Sequence, residues 1–143
     1  MRRWASGLRT GVAIAALLTA CHASKAPLAT SDTLARLSLS TGIVWPRDTR
    51  VLAEDADARA AAEGAGVWIA FAAGPFTLRG DKVNVPADSV RQVVQSQLPN
   101  ENLGPNLAAE APSYEWASGG SRWRGSELAT GSGSYLVLER SKL

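Results

Sequence analysis

The sequence is poor in the residue types on which most enzyme chemistry rests. It has one cysteine, Cys21, and one histidine, His22. A single cysteine allows no internal disulfide, so the folded part must be held together by packing. The lone histidine stands near the N-terminus, ahead of the segments that read as folded. That placement argues against Ser-His-Asp and Cys-His catalysis, histidine-ligated zinc and imidazole acid–base work. Lysine is confined to Lys25, Lys82 and Lys142, which leaves a Ser–Lys pair unsupported. Nowhere does the chain carry the roughly 20 consecutive apolar residues of a spanning helix. It has no internal repeat, and no cofactor or metal is expected.

What is present starts with three regions of different physics. Arg2, Arg3 and Arg9 make a positive start, and Val12-Ala13-Ile14-Ala15-Ala16-Leu17-Leu18 follows without a charge. That run suits the apolar region of an export signal and is too short to cross a bilayer. Leu18-Thr19-Ala20-Cys21 comes next, with a small residue directly before the only cysteine. The tetrapeptide resembles the lipobox of bacterial lipoprotein precursors. The resemblance covers the first 21 residues, and all three regions stand in the family's order.

The likeness implies that residues 1–20 are a signal peptide removed on export. Cys21 would then carry a diacylglyceryl group and become the acylated first residue of the product. Two or more acyl chains hold a protein firmly at a membrane where one binds marginally. Residue 22 is His rather than the Asp of inner-membrane retention. In a cell with two membranes, the likeness therefore implies the outer one, facing the periplasm. The competing reading is an ordinary secretory signal with a fortuitous cysteine near its end.

Removing the signal changes the electrostatics. The full chain carries 15 Lys plus Arg and 13 Asp plus Glu. Without Arg2, Arg3 and Arg9, twelve basic groups face thirteen acidic ones, a net charge of −1. No Lys/Arg cluster remains to track a phosphate backbone, so nucleic acid is not an expected partner. Residues 21–42 are rich in Ala, Ser and Thr and read as an acylated cysteine with a flexible tether. Residues 43–143 read as one small domain of about 100 residues, enough for a modest core.

Within that domain, Val44-Trp45-Pro46 opens the folded part, and Pro46 confines it to an edge or turn. Arg50–Glu54 reads as a short strand, and Asp55–Gly66 as a loop or a weak helical excursion. Gly66–Ala72 has apolar bulk on both faces and should be a central strand. Phe76–Leu78 and Lys82–Val85 form a further short pair or an extended lead-in. A helix starts at Pro86-Ala87-Asp88, runs on the stripe Val90, Val93, Val94 and Leu98, and stops at Pro99-Asn100.

A hairpin follows with its own internal check. A two-residue turn at Gly119-Gly120 sets Ser118 against Ser121, Trp116 against Trp123 and Glu115 against Arg124. One register thus yields an aromatic pair and an ion pair. Ser134–Arg140 reads as a buried strand closing the sheet. The expected fold is α+β: an antiparallel sheet of four or five strands with one packed helix. The order of elements is loosely similar to that of other small bacterial lipoproteins, a likeness that implies no mechanism.

The candidate binding surface is the Trp116/Trp123 pair with Tyr114, Arg122 and Arg124. Exposed indoles edged by arginine stack on sugar rings or anchor a protein partner; alternatively, the rings close one end of a small core. Glu54, Asp55, Asp57 and Glu63 offer a second constellation, a hard-cation seat or an acid–base pair. Its plainer reading is a solvated acidic loop. Arg79-Gly80-Asp81 and Ser141-Lys142-Leu143 read as turn chemistry and chain end rather than as recognition signals. The sequence thus points to a membrane-anchored envelope lipoprotein acting as a non-catalytic binding or scaffolding module, with an envelope protein or glycan as partner. The alternatives are a carboxylate-dependent enzyme on an envelope polymer and an immunity or inhibitor lipoprotein.

Overall fold

A computed structural model describes residues 30–55 and 64–143. The signal segment, Cys21, Asp57 and Glu63 lie outside the described residues. The elements are α1 (Thr30–Thr41), β1 (Arg50–Asp55), β2 (Gly66–Ala72), β3 (Asp81–Pro86), α2 (Ala87–Gln97), β4 (Glu110–Ser118), β5 (Ser121–Thr130) and β6 (Gly133–Lys142). The class is α+β, as the sequence implied. The sheet has six strands rather than four or five, in the order β1-β2-β6-β5-β4-β3, and two helices pack on it. Every neighbouring pair is antiparallel.

The extra helix replaces the expected tether over residues 30–41, while residues 21–29 lie outside the described residues. Thr33, Leu37 and Thr41 recur at four-residue spacing and are buried. Leu37, only 5% exposed, joins Ile43, Trp68 and Leu136 in one core cluster. Two of the three buried positions are threonines, so the stripe does not look apolar in sequence. Their hydroxyls find partners: Thr41 Oγ1 donates to the Leu37 carbonyl (2.6 Å) and accepts from the Ile43 N–H (3.1 Å). Thr33 Oγ1 accepts from Arg36 (3.3 Å). A buried hydroxyl that is hydrogen-bonded costs little, so threonine serves on this face.

Alternation along the strands sorts the core onto two faces. On one, Trp68, Ala70 and Ala72 of β2, Trp123 of β5 and Leu136 and Leu138 of β6 meet Leu37, Ile43 and Phe76. On the other, Ile69, Leu128, Tyr135 and Val137 meet Ala87, Val90 and Val94 of α2 and Leu103 of the following loop. β2 and β6 are therefore covered on both sides. The expectation of a central β2 holds, while β6 lies at the middle of the sheet rather than closing it.

α2 lies where its stripe placed it, with Pro86 as the residue before the first helical one. Phe76–Leu78, expected as a strand or a lead-in, is irregular chain within a connection that carries β2, second in the sheet, to β3 at the far edge. Glu127 anchors it: one carboxylate oxygen accepts the Phe76 N–H (3.1 Å), the other the Ser134 hydroxyl (3.0 Å). Among the described residues, no helix is long and apolar enough to cross a membrane.

Candidate functional site

The β4–β5 hairpin has the register expected from its turn. Gly119 and Gly120 take φ of 58° and 78°, the left-handed pair that matches strand twist in a two-residue loop. Ser118 stands opposite Ser121, Trp116 opposite Trp123 and Glu115 opposite Arg124. Arg124 reaches Glu115 at 3.4 Å and, on the other neighbouring strand, Glu139 at 3.5 Å.

The same register divides the expected binding surface. Residues 122, 123 and 124 alternate across the sheet, so Arg122 and Arg124 leave by the face opposite to Trp123. Trp116, and Tyr114 two residues before it, share the Trp123 face. The arginines therefore do not edge the indoles. Trp123 is not a surface residue: it is 2% exposed, donates from Nε1 to the Ser118 carbonyl (3.1 Å) and packs 5.7 Å from the Trp68 ring. Arg140 covers this pair, its guanidinium 5.3 Å from the Trp68 ring centre and 5.9 Å from that of Trp123. Arg140 also donates to the Ala65 carbonyl (2.9 Å).

Trp116 and Tyr114 remain half-buried. Trp116 Nε1 donates to the Thr41 carbonyl (3.0 Å), so the indole is fixed against the last turn of α1. Beside it lies an open hollow of about 660 Å³, lined by Thr41, Ile43, Val44, Thr77, Arg79 and Trp116. Trp45 supports the same region, donating from Nε1 to the Leu34 carbonyl (3.1 Å) and meeting Phe76 edge-on at 6.2 Å. The cation that borders the same hollow as the half-buried Trp116 is thus Arg79, which the sequence reading left as turn chemistry. Only the path of the β2–β3 connection brings it to Trp116, 37 positions away.

Arg122 and Arg124 line a second hollow of about 370 Å³ with Val67, Glu115, Glu139 and Ser141, and Trp123 and Arg140 also border it. The acids there flank an arginine and form ion pairs with it. Glu54 and Asp55, adjacent in β1, alternate across the sheet. Glu54 pairs with Arg36 at 3.6 Å, and Asp55 accepts from Gln97 at 3.4 Å. The two do not converge. Among the described residues, no group of three or more His, Cys, Asp or Glu side chains is placed to hold a metal ion.

Among the described residues, one side chain has a displaced ionisation. Burial pushes the Tyr135 phenol up to about 12, helped by its hydrogen bond to Glu101 (2.7 Å). This bond ties the 98–109 loop to β6. It belongs to the packing of the α2 face, away from the Trp116 hollow.

Comparison with protein-family models, curated proteins and solved structures finds no match to this chain, so sequence and geometry alone carry the functional argument.

Proposed function

We propose that this chain is a lipid-anchored envelope protein whose folded domain works by binding rather than by catalysis. The observation that carries the anchor is the order of Arg2, Arg3 and Arg9, the uncharged Val12–Leu18 and Leu18-Thr19-Ala20-Cys21. Each buried methylene of an acyl chain contributes about 0.8 kcal/mol, so a multiply acylated Cys21 retains the domain without a spanning segment.

The binding half of the proposal draws on the hollow beside Trp116. A fixed aromatic face, the aliphatic Ile43 and Val44, the Thr77 hydroxyl and the Arg79 guanidinium border one concavity. This combination suits an envelope glycan or a protein side chain with an acidic or hydroxylated edge. Its rigidity favours binding, because Trp116 gives up no hydrogen bond when its face is covered.

Mass spectrometry of the protein from native membranes tests the anchor. The expected product begins at an acylated Cys21, and Cys21→Ser releases it to the soluble fraction; an unmodified thiol or an uncleaved leader sinks the proposal. The hollow is tested by a photo-crosslinker at Thr77 in intact cells. Adducts present in the native protein should disappear in Arg79→Glu, which alters a solvent-facing side chain. Identical adducts in both would remove this hollow as the site.

A further inference from the structure

α1 buries one side and leaves another in water, and its C-terminal end carries an anomaly. Leu39 is 88% exposed, and Val44, just beyond the helix, is 83% exposed. A single exposed aliphatic is ordinary on a protein surface. These two emerge from the same end of one helix. Gly42, at φ +76°, turns the chain there, its N–H bonds the Ser38 carbonyl (2.8 Å), and the Ser38 hydroxyl bonds the Ile43 carbonyl (3.1 Å). The turn is therefore held, and the protrusion of Val44 is built into it. The tip of the β4–β5 hairpin braces the same end: a Cβ on Gly119 would lie 3.1 Å from the Ser40 carbonyl oxygen.

Covalent geometry says what can cover this end. Eight residues separate Cys21 from Thr30, and their fully extended reach is about 30 Å at most. α1 is twelve residues long, about 18 Å, and Leu39 lies about 14 Å along it. A lipid surface at Cys21 is thus within reach of the whole helix.

We propose that the C-terminal end of α1 rests on the bilayer that carries the acyl chains, with Leu39 and Val44 entering the headgroup boundary. This rests on the reading of Cys21 as acylated. The contact orients the domain with the hairpin tip toward the membrane. The partner of Leu39 and Val44 is the lipid surface itself.

The single native cysteine makes the test direct. In the acylated full-length protein Cys21 carries lipid, so a thiol introduced by Leu39→Cys, Val44→Cys or Leu107→Cys takes an environment-sensitive fluorophore alone. Leu107 is 64% exposed on the α2 side of the fold and serves as the comparison. Each protein is placed in vesicles of phosphatidylethanolamine and phosphatidylglycerol with brominated acyl chains. Labels at 39 and 44 are expected to shift to the blue and lose emission to the brominated lipid, while the label at 107 does neither. Quenching at 39 and 44 no greater than at 107 overturns the membrane contact and leaves the anchor standing. Shielding of 39 and 44 from aqueous iodide without lipid quenching also overturns it, in favour of a protein partner. Mass spectrometry of the same samples finding no acyl group on Cys21 removes the anchor and this inference together.

Discussion

Trp116 Nε1 donates to the carbonyl oxygen of Thr41 at 3.0 Å, across 75 positions of sequence. The bond joins the hairpin to one of the carbonyls that a helix end leaves without an intrahelical partner. Removing it in Trp116→Phe keeps an aromatic ring and loses the donor. The expected cost is about 1 kcal/mol in denaturant unfolding, with faster amide exchange in the last turn of α1 than in α2. Equal exchange in the two helices would show that the bond does not hold α1.

Leu37 distinguishes a packed helix from a tether. Its side chain lies in the core cluster with Trp68 and Leu136, and truncating a buried leucine costs about 2–5 kcal/mol. Leu37→Ala should lower stability by that order, whereas Leu39→Ala on the solvent side leaves it within about 0.5 kcal/mol. Chemical denaturation of both variants checks the contrast.

The Glu127 carboxylate fastens the β2–β3 connection through the Phe76 N–H and the Ser134 hydroxyl. Glu127→Ala leaves that N–H without its partner, at a cost of about 1–3 kcal/mol. Because the connection carries Arg79, loosening should also appear as protease cleavage between residues 73 and 80. Unchanged cleavage would mean that Phe76 alone seats the segment.

Gly80 takes φ +139°, and a Cβ there would sit 2.4 Å from the Glu115 carbonyl oxygen. The obstacle is backbone and cannot swing away. Gly80→Ala is expected to destabilise by about 1–3 kcal/mol. Gly131→Ala, where a Cβ meets nothing within 4 Å, should be near neutral in the same thermal melts.

Tyr135 sets a pH dependence with a definite sign. Its phenol is raised from 10.0 to about 12 in the fold, chiefly by burial and then by the Glu101 carboxylate. Below pH 10 both folded and unfolded chains hold the proton, and the contribution is complete. Between pH 10 and 12 the unfolded chain releases the proton first, so stability falls across that window. Tyr135→Phe removes the ionisation and should flatten this part of the profile. A parallel decline in variant and native protein would assign the alkaline loss to other groups.

Much of the local structure was legible because local rules govern it. Gly119-Gly120 demands a two-residue turn, and that turn fixes which residues stand opposite each other; Trp116, Trp123, Glu115 and Arg124 followed directly. The stripe through Val90 and Val94 likewise predicted the face that α2 buries. The expected cluster of indoles and arginines failed on the same rule, since neighbours in a strand leave by opposite faces. Arg122 and Arg124 were placed beside Trp123 by sequence proximity, which a β-strand turns into separation.

By itself, then, the sequence determined the hairpin register, the α2 stripe and the double-faced β2. Each depends on contacts within one element or across one tight turn. Tertiary structure decided that α1 belongs to the domain, because its buried threonines become acceptable only where their hydroxyls meet the Leu37 carbonyl and the Ile43 N–H. It also placed β6 at the centre of the sheet and brought Arg79 to Trp116. Those outcomes depend on how chain distant in sequence crosses the sheet, and neither periodicity nor turn chemistry encodes that path.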